Sequence, residues 1–257
     1  MSLVDLLRLP DAVDADELDA ADASEAHRRI IQSKPFPKRV YLDSFAEFLT
    51  VIAGKPDGVY VELGSGGGFL KEIAPGVTTS DVVELPGVDL CFSASDMPFD
   101  DASLQGIFML NCFHHLPRPA EALLEFQRAL APGGRVLMTE PANTAWARFV
   151  YTHFHHELFD PNAEWELEGT GRLSSANDAL PWIVFVRDLR RMQATAPALE
   201  VMRVEYHTPL RYLLSGGLSF RQLAPSWSYG AVSFAERLAS PLNRHIGMFM
   251  TVELRRA

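Results

Sequence analysis

The sequence predicts an α/β protein on a doubly wound, mainly parallel seven-stranded sheet, with helices ahead of the sheet and an inserted cover towards its C-terminal end. Three observations predict it. Short strand patterns rich in β-branched and aromatic residues alternate with helical patterns between residues 59 and 139. A glycine-rich turn, Gly64-Ser65-Gly66-Gly67-Gly68, joins the first strand to the helix after it. Breaks such as Pro86-Gly87 and Pro132-Gly133-Gly134 punctuate the rest at intervals that suit βαβ units.

Residues 11–26 are rich in Asp, Glu and Ala with little apolar periodicity, which suits a solvated lead-in or a weak surface helix. From Lys38 to Ala53, Val40, Tyr41, Phe45, Phe48, Leu49 and Ile52 recur at helical spacing, and Gly54-Lys55-Pro56 ends the run. The strand Val59 to Leu63 precedes the glycine turn, and a short helix, Phe69 to Ile73, follows it. Further strands are expected at Val77 to Val83, Val88 to Phe92 and Leu104 to Leu110. Pro119 opens a helix whose Leu123, Phe126 and Leu130 share a face, and Pro132-Gly133-Gly134 stops it before the strand Arg135 to Thr139. Beyond Pro141 the alternation loosens into a stretch rich in aromatics and histidine, a Gly/Ser/Asn loop at 169–177, and a helix around Ile183 to Met192. Leu199 to Tyr206 and Met248 to Leu254 complete the sheet. The expected division is a helical lead-in over 1–54 and one domain over 55–257, with cover insertions at about 142–198 and 207–245.

A chain of 257 residues, 47% of them hydrophobic, can bury one sizeable core without staples. Cys91 and Cys112 fall in segments expected to be core, which points to a reduced, cytoplasmic setting rather than a disulfide framework. The formal charge of −10 disfavours nucleic acid as a partner, because binding it rests on cationic side chains that neutralise phosphates. No apolar run reaches the roughly 20 residues that span a bilayer. A small-molecule partner is expected, and the oligomeric state is left open.

Glycines are needed at 64–68 because the chain must reverse tightly while a ligand approaches its backbone. Strand, glycine turn and helix in that order point to a nucleotide-like cofactor. The dinucleotide fingerprint G-x-G-x-x-G requires glycine at position 69, where Phe69 stands, and this weakens a nicotinamide oxidoreductase reading. No phosphate-cradling G-x-x-x-x-G-K-[ST] is present.

Val61-Glu62-Leu63-Gly64-Ser65-Gly66-Gly67-Gly68 resembles the first motif of class I S-adenosylmethionine-dependent methyltransferases, in particular the small-molecule group that includes quinone-biosynthesis methyltransferases. Asp81 ends the second strand; Ser93-Ala94-Ser95-Asp96-Met97-Pro98-Phe99 is similar to that group's D-A-x-x-L-P-F. Asn111 to His115 is similar to its N-x-x-H-H, and Ala131-Pro132-Gly133-Gly134 to its L-x-P-G-G. The resemblance implies a Rossmann-like methyltransferase fold and S-adenosyl-L-methionine as cofactor. It further implies that Gly64, Ser65, Gly66 and Gly68 lie against the methionine portion and ribose, with Glu62 fixing the loop. Asp81 would take the ribose diol, Ser93, Ala94 and Met97 the adenine, and Asn111 the methionine end. Ser93 stands where the family usually has Asp, which weakens or removes a side-chain contact to the adenine amino group while leaving backbone recognition through Ala94, and Gln105 replaces another common Asp.

Methyl transfer from a sulfonium is an in-line displacement, so most of its catalysis can come from orientation; a base is optional and helps when the acceptor is a hydroxyl. Histidines are the candidate bases: His114 and His115 at the carboxyl end of the fourth strand, and His155 within Tyr151 to Glu157. If this stretch is helical, His153 and Glu157 share a face, but H-E-x-x-H is absent and no cysteine joins them, so no metal is assigned. Phe149, Tyr151, Phe154, Trp165, Trp182, Phe185, Tyr212 and Trp227 are candidate cover over an acceptor pocket. Tyr212 to Gly217 is either a gate or a helix end. The function expected is methyl transfer to a small organic acceptor, with oxygen favoured; the alternative is a non-catalytic cofactor-binding protein that acts through a protein partner.

Overall fold

In the computed structural model, which describes residues 8, 9, 19, 21–155, 157–169, 171 and 173–257, two helices precede the sheet. They are α1 (Ala21–Ser33) and α2 (Pro35–Gly54). Residues 11–18 of the acidic lead-in lie outside the described residues. Helix α2 begins at Pro35 rather than Lys38, since a proline in the first turn has no N–H to leave unpaired and its fixed φ suits the helix. Its Phe48 ring stacks on Phe108 of the sheet with 4.7 Å between centroids, and Tyr60 covers the same ring at 5.7 Å.

The strands are β1 (Tyr60–Leu63), β2 (Thr78–Asp81), β3 (Leu90–Cys91), β4 (Leu104–Leu110), β5 (Leu130–Pro141), β6 (Leu199–His207) and β7 (Phe249–Arg256), in the order β3-β2-β1-β4-β5-β7-β6. Neighbours from β3 to β5 run parallel, and β7 is antiparallel to both β5 and β6. Helices α3 (Phe69–Ile73), α4 (Pro119–Ala129) and α5 (Ala145–Phe154) supply the main cover. All four residues of β1 are buried, as befits a central parallel strand. The chain order reverses between β1 and β4, which opens a crevice at the carboxyl ends of those strands.

Four segments differ from expectation for identifiable reasons. Strand β2 stops at Asp81, whose carboxylate accepts from the Val82 backbone N–H at 2.9 Å and turns the chain away. Strand β3 keeps two residues because the Asp89 carboxylate, 2.9 Å from Thr79 N, replaces a rung of the ladder. Cys91 is consequently exposed at the sheet edge, not core, and Cys112 is half-buried. Strand β5 reaches back to Leu130 because a register shift between Leu104 and Gly106, with Gly133 at φ +77°, absorbs Pro132-Gly133-Gly134. The expected helix at Ile183 to Met192 is instead Leu180–Trp182, a π turn at Ile183–Arg187 and a helix at Leu189–Thr195. The π turn brings Asp188 beneath fully buried Trp165, whose indole N–H donates to it at 3.0 Å. Trp165 and Phe185 are therefore core, whereas Phe149 and Trp227 are exposed. Among the described residues no helix is long and apolar enough to cross a membrane.

Candidate active site

The crevice begins with the turn after β1. Gly64, Gly66 and Gly68 hold φ of +66°, +47° and +68°, a region that residues with a Cβ enter at a cost, and a Cβ on Gly64 would stand 2.5 Å from Cys112 Sγ. Strand β2 braces the turn: Gly66 N donates to Asp81 Oδ2 at 3.1 Å and Ser65 N to Ser80 O at 2.8 Å. Opposite, at the end of β4, Asn111 adopts φ +52°. Glu62 Oε2 and Asn111 Oδ1 are both buried and meet no hydrogen-bond partner among the described residues. Burial, with the nearby Asp81 charge adding to it and a Ser65 hydrogen bond opposing it, pushes the Glu62 carboxyl up to about 8.

A cavity of about 480 Å³ extends from this turn under the cover. Glu62, Gly64, Ser65, Gly66 and Asn111 line one end. The apolar wall is built from Trp146, Val150, Tyr151, Phe154, Tyr212, Leu213 and Phe249, so three of the expected cover aromatics do line it. The loop from Gly216 to Phe220 closes a side; Lys34 Nζ tethers it to α2 through the carbonyls of Gly217 at 2.6 Å and Phe220 at 3.0 Å. Gly216, at φ +75°, also caps the helical turn Arg211–Ser215, so Tyr212 to Gly217 is at once a helix end and a cavity wall.

The remaining expected cofactor residues stand outside that lining. Gly68 opens α3, and Asp81 faces the glycine turn rather than the cavity. Met97 is buried in the main core, while Ser93 Oγ is 2.9 Å from Ser95 Oγ in a local loop beside Ala94.

The far end is polar. His114, His115 and His155 all line it, together with Glu157 and Asp178; His156 lies outside the described residues. Sequence reasoning missed Asp178 and Glu140. Glu140 is fully buried: its Oε1 accepts from Cys112 N at 2.9 Å and Phe113 N at 2.8 Å, and its Oε2 is 2.7 Å from His114 Nδ1. His114 Nε2 faces Glu157 at 3.3 Å, and His155 Nδ1 faces Asp178 at 3.2 Å. Burial works against charge on His114, but its bonds to Glu140 and Glu157 outweigh this and raise its pKa well above the usual value. His115 is driven down to about 3 by burial and by the neighbouring His114 charge. For His155 the Asp178 partner overcomes burial and raises the pKa. The cover hangs from the same loop, since Asn177 N donates to His114 O at 3.1 Å.

Residues 61–138, which contain the glycine turn, β2 and β4, match the family of methyltransferase domains. Residues 61–138 thus carry a methyltransferase domain. The same fold recurs in a Thermotoga maritima S-adenosylmethionine-dependent methyltransferase at 16% identity and TM-score 0.52, over 90% of this chain and 97% of that one. It recurs again in the complex between the Haloferax volcanii Trm112 methyltransferase activator and its methyltransferase, at 13% identity and TM-score 0.50, over 93% of this chain and 97% of that one.

The residues present fit such a cofactor. S-adenosylmethionine, when bound, supplies an activated methyl on a sulfonium. What this chain would offer it is a backbone cradle without side chains at Gly64 and Gly66, and two buried oxygens, on Glu62 and Asn111, that have no hydrogen-bond partner among the described residues and would suit a cationic amino acid.

Proposed function

We propose that this methyltransferase moves the methyl group to an oxygen of a small, mostly apolar organic acceptor bound between the glycine turn and the histidine cluster. One observation carries the reading: a single cavity joins Glu62 and Asn111 at one end, aromatic walls between, and His114, His115 and His155 at the other. A volume of about 480 Å³ suits a small molecule and excludes a folded polymer from its interior. Catalysis rests chiefly on holding nucleophile and methyl collinear in a site from which water is excluded. A hydroxyl acceptor must also give up its proton, and we assign that task to His155, which lines the cavity with Asp178 3.2 Å from its Nδ1. His114 is clamped on both ring nitrogens, so it shapes the floor rather than serving as the base, and His115 lies beside it.

The cofactor contacts follow the same assignment. Gly64, Ser65 and Gly66 form the cradle, Glu62 and Asn111 face the methionine end, and Asp81 acts on the ribose side through the turn it holds at Gly66. Gly68, at φ +68°, admits the backbone to α3, and the adenine side falls to the Ser93–Ala94 loop rather than to Met97, which is buried in the core. The test is product analysis by mass spectrometry with labelled S-adenosylmethionine and size-matched phenols, enols and amines. Methylated hydroxyl products are expected. Turnover of amines or carbon acids with every hydroxyl acceptor inert would overturn the oxygen assignment.

A further inference from the structure

Two histidines and a glutamate from separate segments meet at the cavity floor. His114 and His115 come from the loop after β4 and Glu157 from the segment after α5, and one ligand atom of each lies within 4.8 Å of the other two. The His114 ring is held as metal-binding imidazoles usually are: a carboxylate fixes one nitrogen and turns the other outward. Here Glu140, itself locked by the Cys112 and Phe113 N–H groups, stands 2.7 Å from Nδ1. Nε2 is thereby directed at Glu157, 3.3 Å away, and towards Asp178 at 3.8 Å.

The second observation is independent of that arrangement. His115 Nδ1 and both Asp178 oxygens are buried and hydrogen-bonded to nothing among the described residues, although His155 Nδ1 pairs with one of those oxygens at 3.2 Å. Asp178 is 0% exposed, and buried polar atoms left in this state are rare in folded proteins. The Asp178 carboxylate, faced among the described residues by the His155 and His114 rings alone, is short of donors, and a nearby cation supplies what it lacks.

We propose that His114, His115 and Glu157 bind one divalent transition-metal cation of the zinc type at the floor of the cavity, with Asp178 as a flanking carboxylate. Two imidazoles and one carboxylate favour such an ion over magnesium, which prefers oxygen ligands. Three protein ligands leave positions open for a donor atom from a small molecule. That this donor belongs to the methyl acceptor rests on the function proposed above; the cation site does not.

Chelator-treated protein is titrated by calorimetry with zinc chloride and, separately, with magnesium chloride, and S-adenosylhomocysteine binding is measured on the same samples. One saturable equivalent of zinc is expected, with magnesium binding far weaker. Glu157→Gln and His115→Gln should each weaken zinc at least tenfold while S-adenosylhomocysteine affinity, the reporter of an intact fold, stays within twofold. Glu140→Gln should weaken zinc by about 10–100-fold, because it frees the His114 ring. No saturable zinc uptake by the wild-type protein, or the same zinc affinity in all three variants, overturns the site. Failure of the wild type to bind S-adenosylhomocysteine would count against the cofactor assignment instead.

Discussion

Glu62 should make the cofactor-free protein less stable as pH rises, and S-adenosylmethionine should reverse that loss. The carboxyl is 3% exposed and is pushed from 4.5 up to about 8. At roughly 1.4 kcal/mol per pH step, ionising it in the folded chain costs about 5 kcal/mol more than in the unfolded chain. Below pH 4.5 both states hold the proton and nothing changes. Between 4.5 and about 8 the unfolded chain releases it while the folded chain keeps it, so stability falls with pH; above about 8 the loss is complete. At pH 7 the loss amounts to about 3 kcal/mol. Glu62→Gln removes it, so denaturant midpoints of variant and wild type should diverge in the variant's favour from pH 5 to pH 8. A bound sulfonium and ammonium would favour the ionised carboxylate, so cofactor binding near pH 7 should release close to one proton in the wild type and none in the variant. Calorimetry in two buffers of different ionisation enthalpy reads that number directly. A constant gap between the two denaturation curves, or binding without proton release, would refute the reasoning.

Gly64→Ala should abolish cofactor binding measured by calorimetry and lower stability by about 1–3 kcal/mol, since the new methyl meets Cys112 and the backbone sits at φ +66°. Asp81→Asn weakens a charge-assisted bond to Gly66 N and should reduce S-adenosylhomocysteine affinity about tenfold or more, read by the same method. His155→Gln should cut kcat for a hydroxyl acceptor by about 10²–10⁴-fold and leave cofactor affinity unchanged; equal loss in both would mark the residue as structural. Glu236, 5% exposed, accepts from the backbone N–H groups of Leu210 and Arg211 and pairs with the Arg211 guanidinium. Glu236→Gln should therefore cost about 1–3 kcal/mol in chemical denaturation.

The glycine-turn end of the cavity was legible because it is local. Gly64 to Gly68 and Asn111 each act within a few residues of a strand end, and strand β4 keeps the expected bounds Leu104–Leu110. The shortfalls arose where a side chain took over a backbone task. Asp89 replaces part of the β3 ladder, and the π turn serves Trp165 through Asp188, 23 residues further along the chain. The polar floor was half legible. His114, His115 and His155 could be named from residue type, but Glu157 approaches His114 and Asp178 approaches His155 only once the cover folds back. Glu140 carried a readable signal: like Glu62, it is an acid near the carboxyl end of an otherwise apolar strand, where open α/β sheets assemble their sites.

The bond from Asn177 N to His114 O has a consequence for how this enzyme could change its substrate. One short loop carries Asn111 to the glycine-turn end of the cavity and, a few residues later, suspends the cover segment that ends in Asp178. The two halves of the reaction thus share a mounting. A graft of residues 157–178 alone from a related enzyme would be hung on a foreign bracket, with its carboxylates out of line with the histidines. A graft carried out together with residues 111–115 would bring its own alignment, so acceptor preference should pass between such enzymes as a linked pair of segments rather than as a detachable lid.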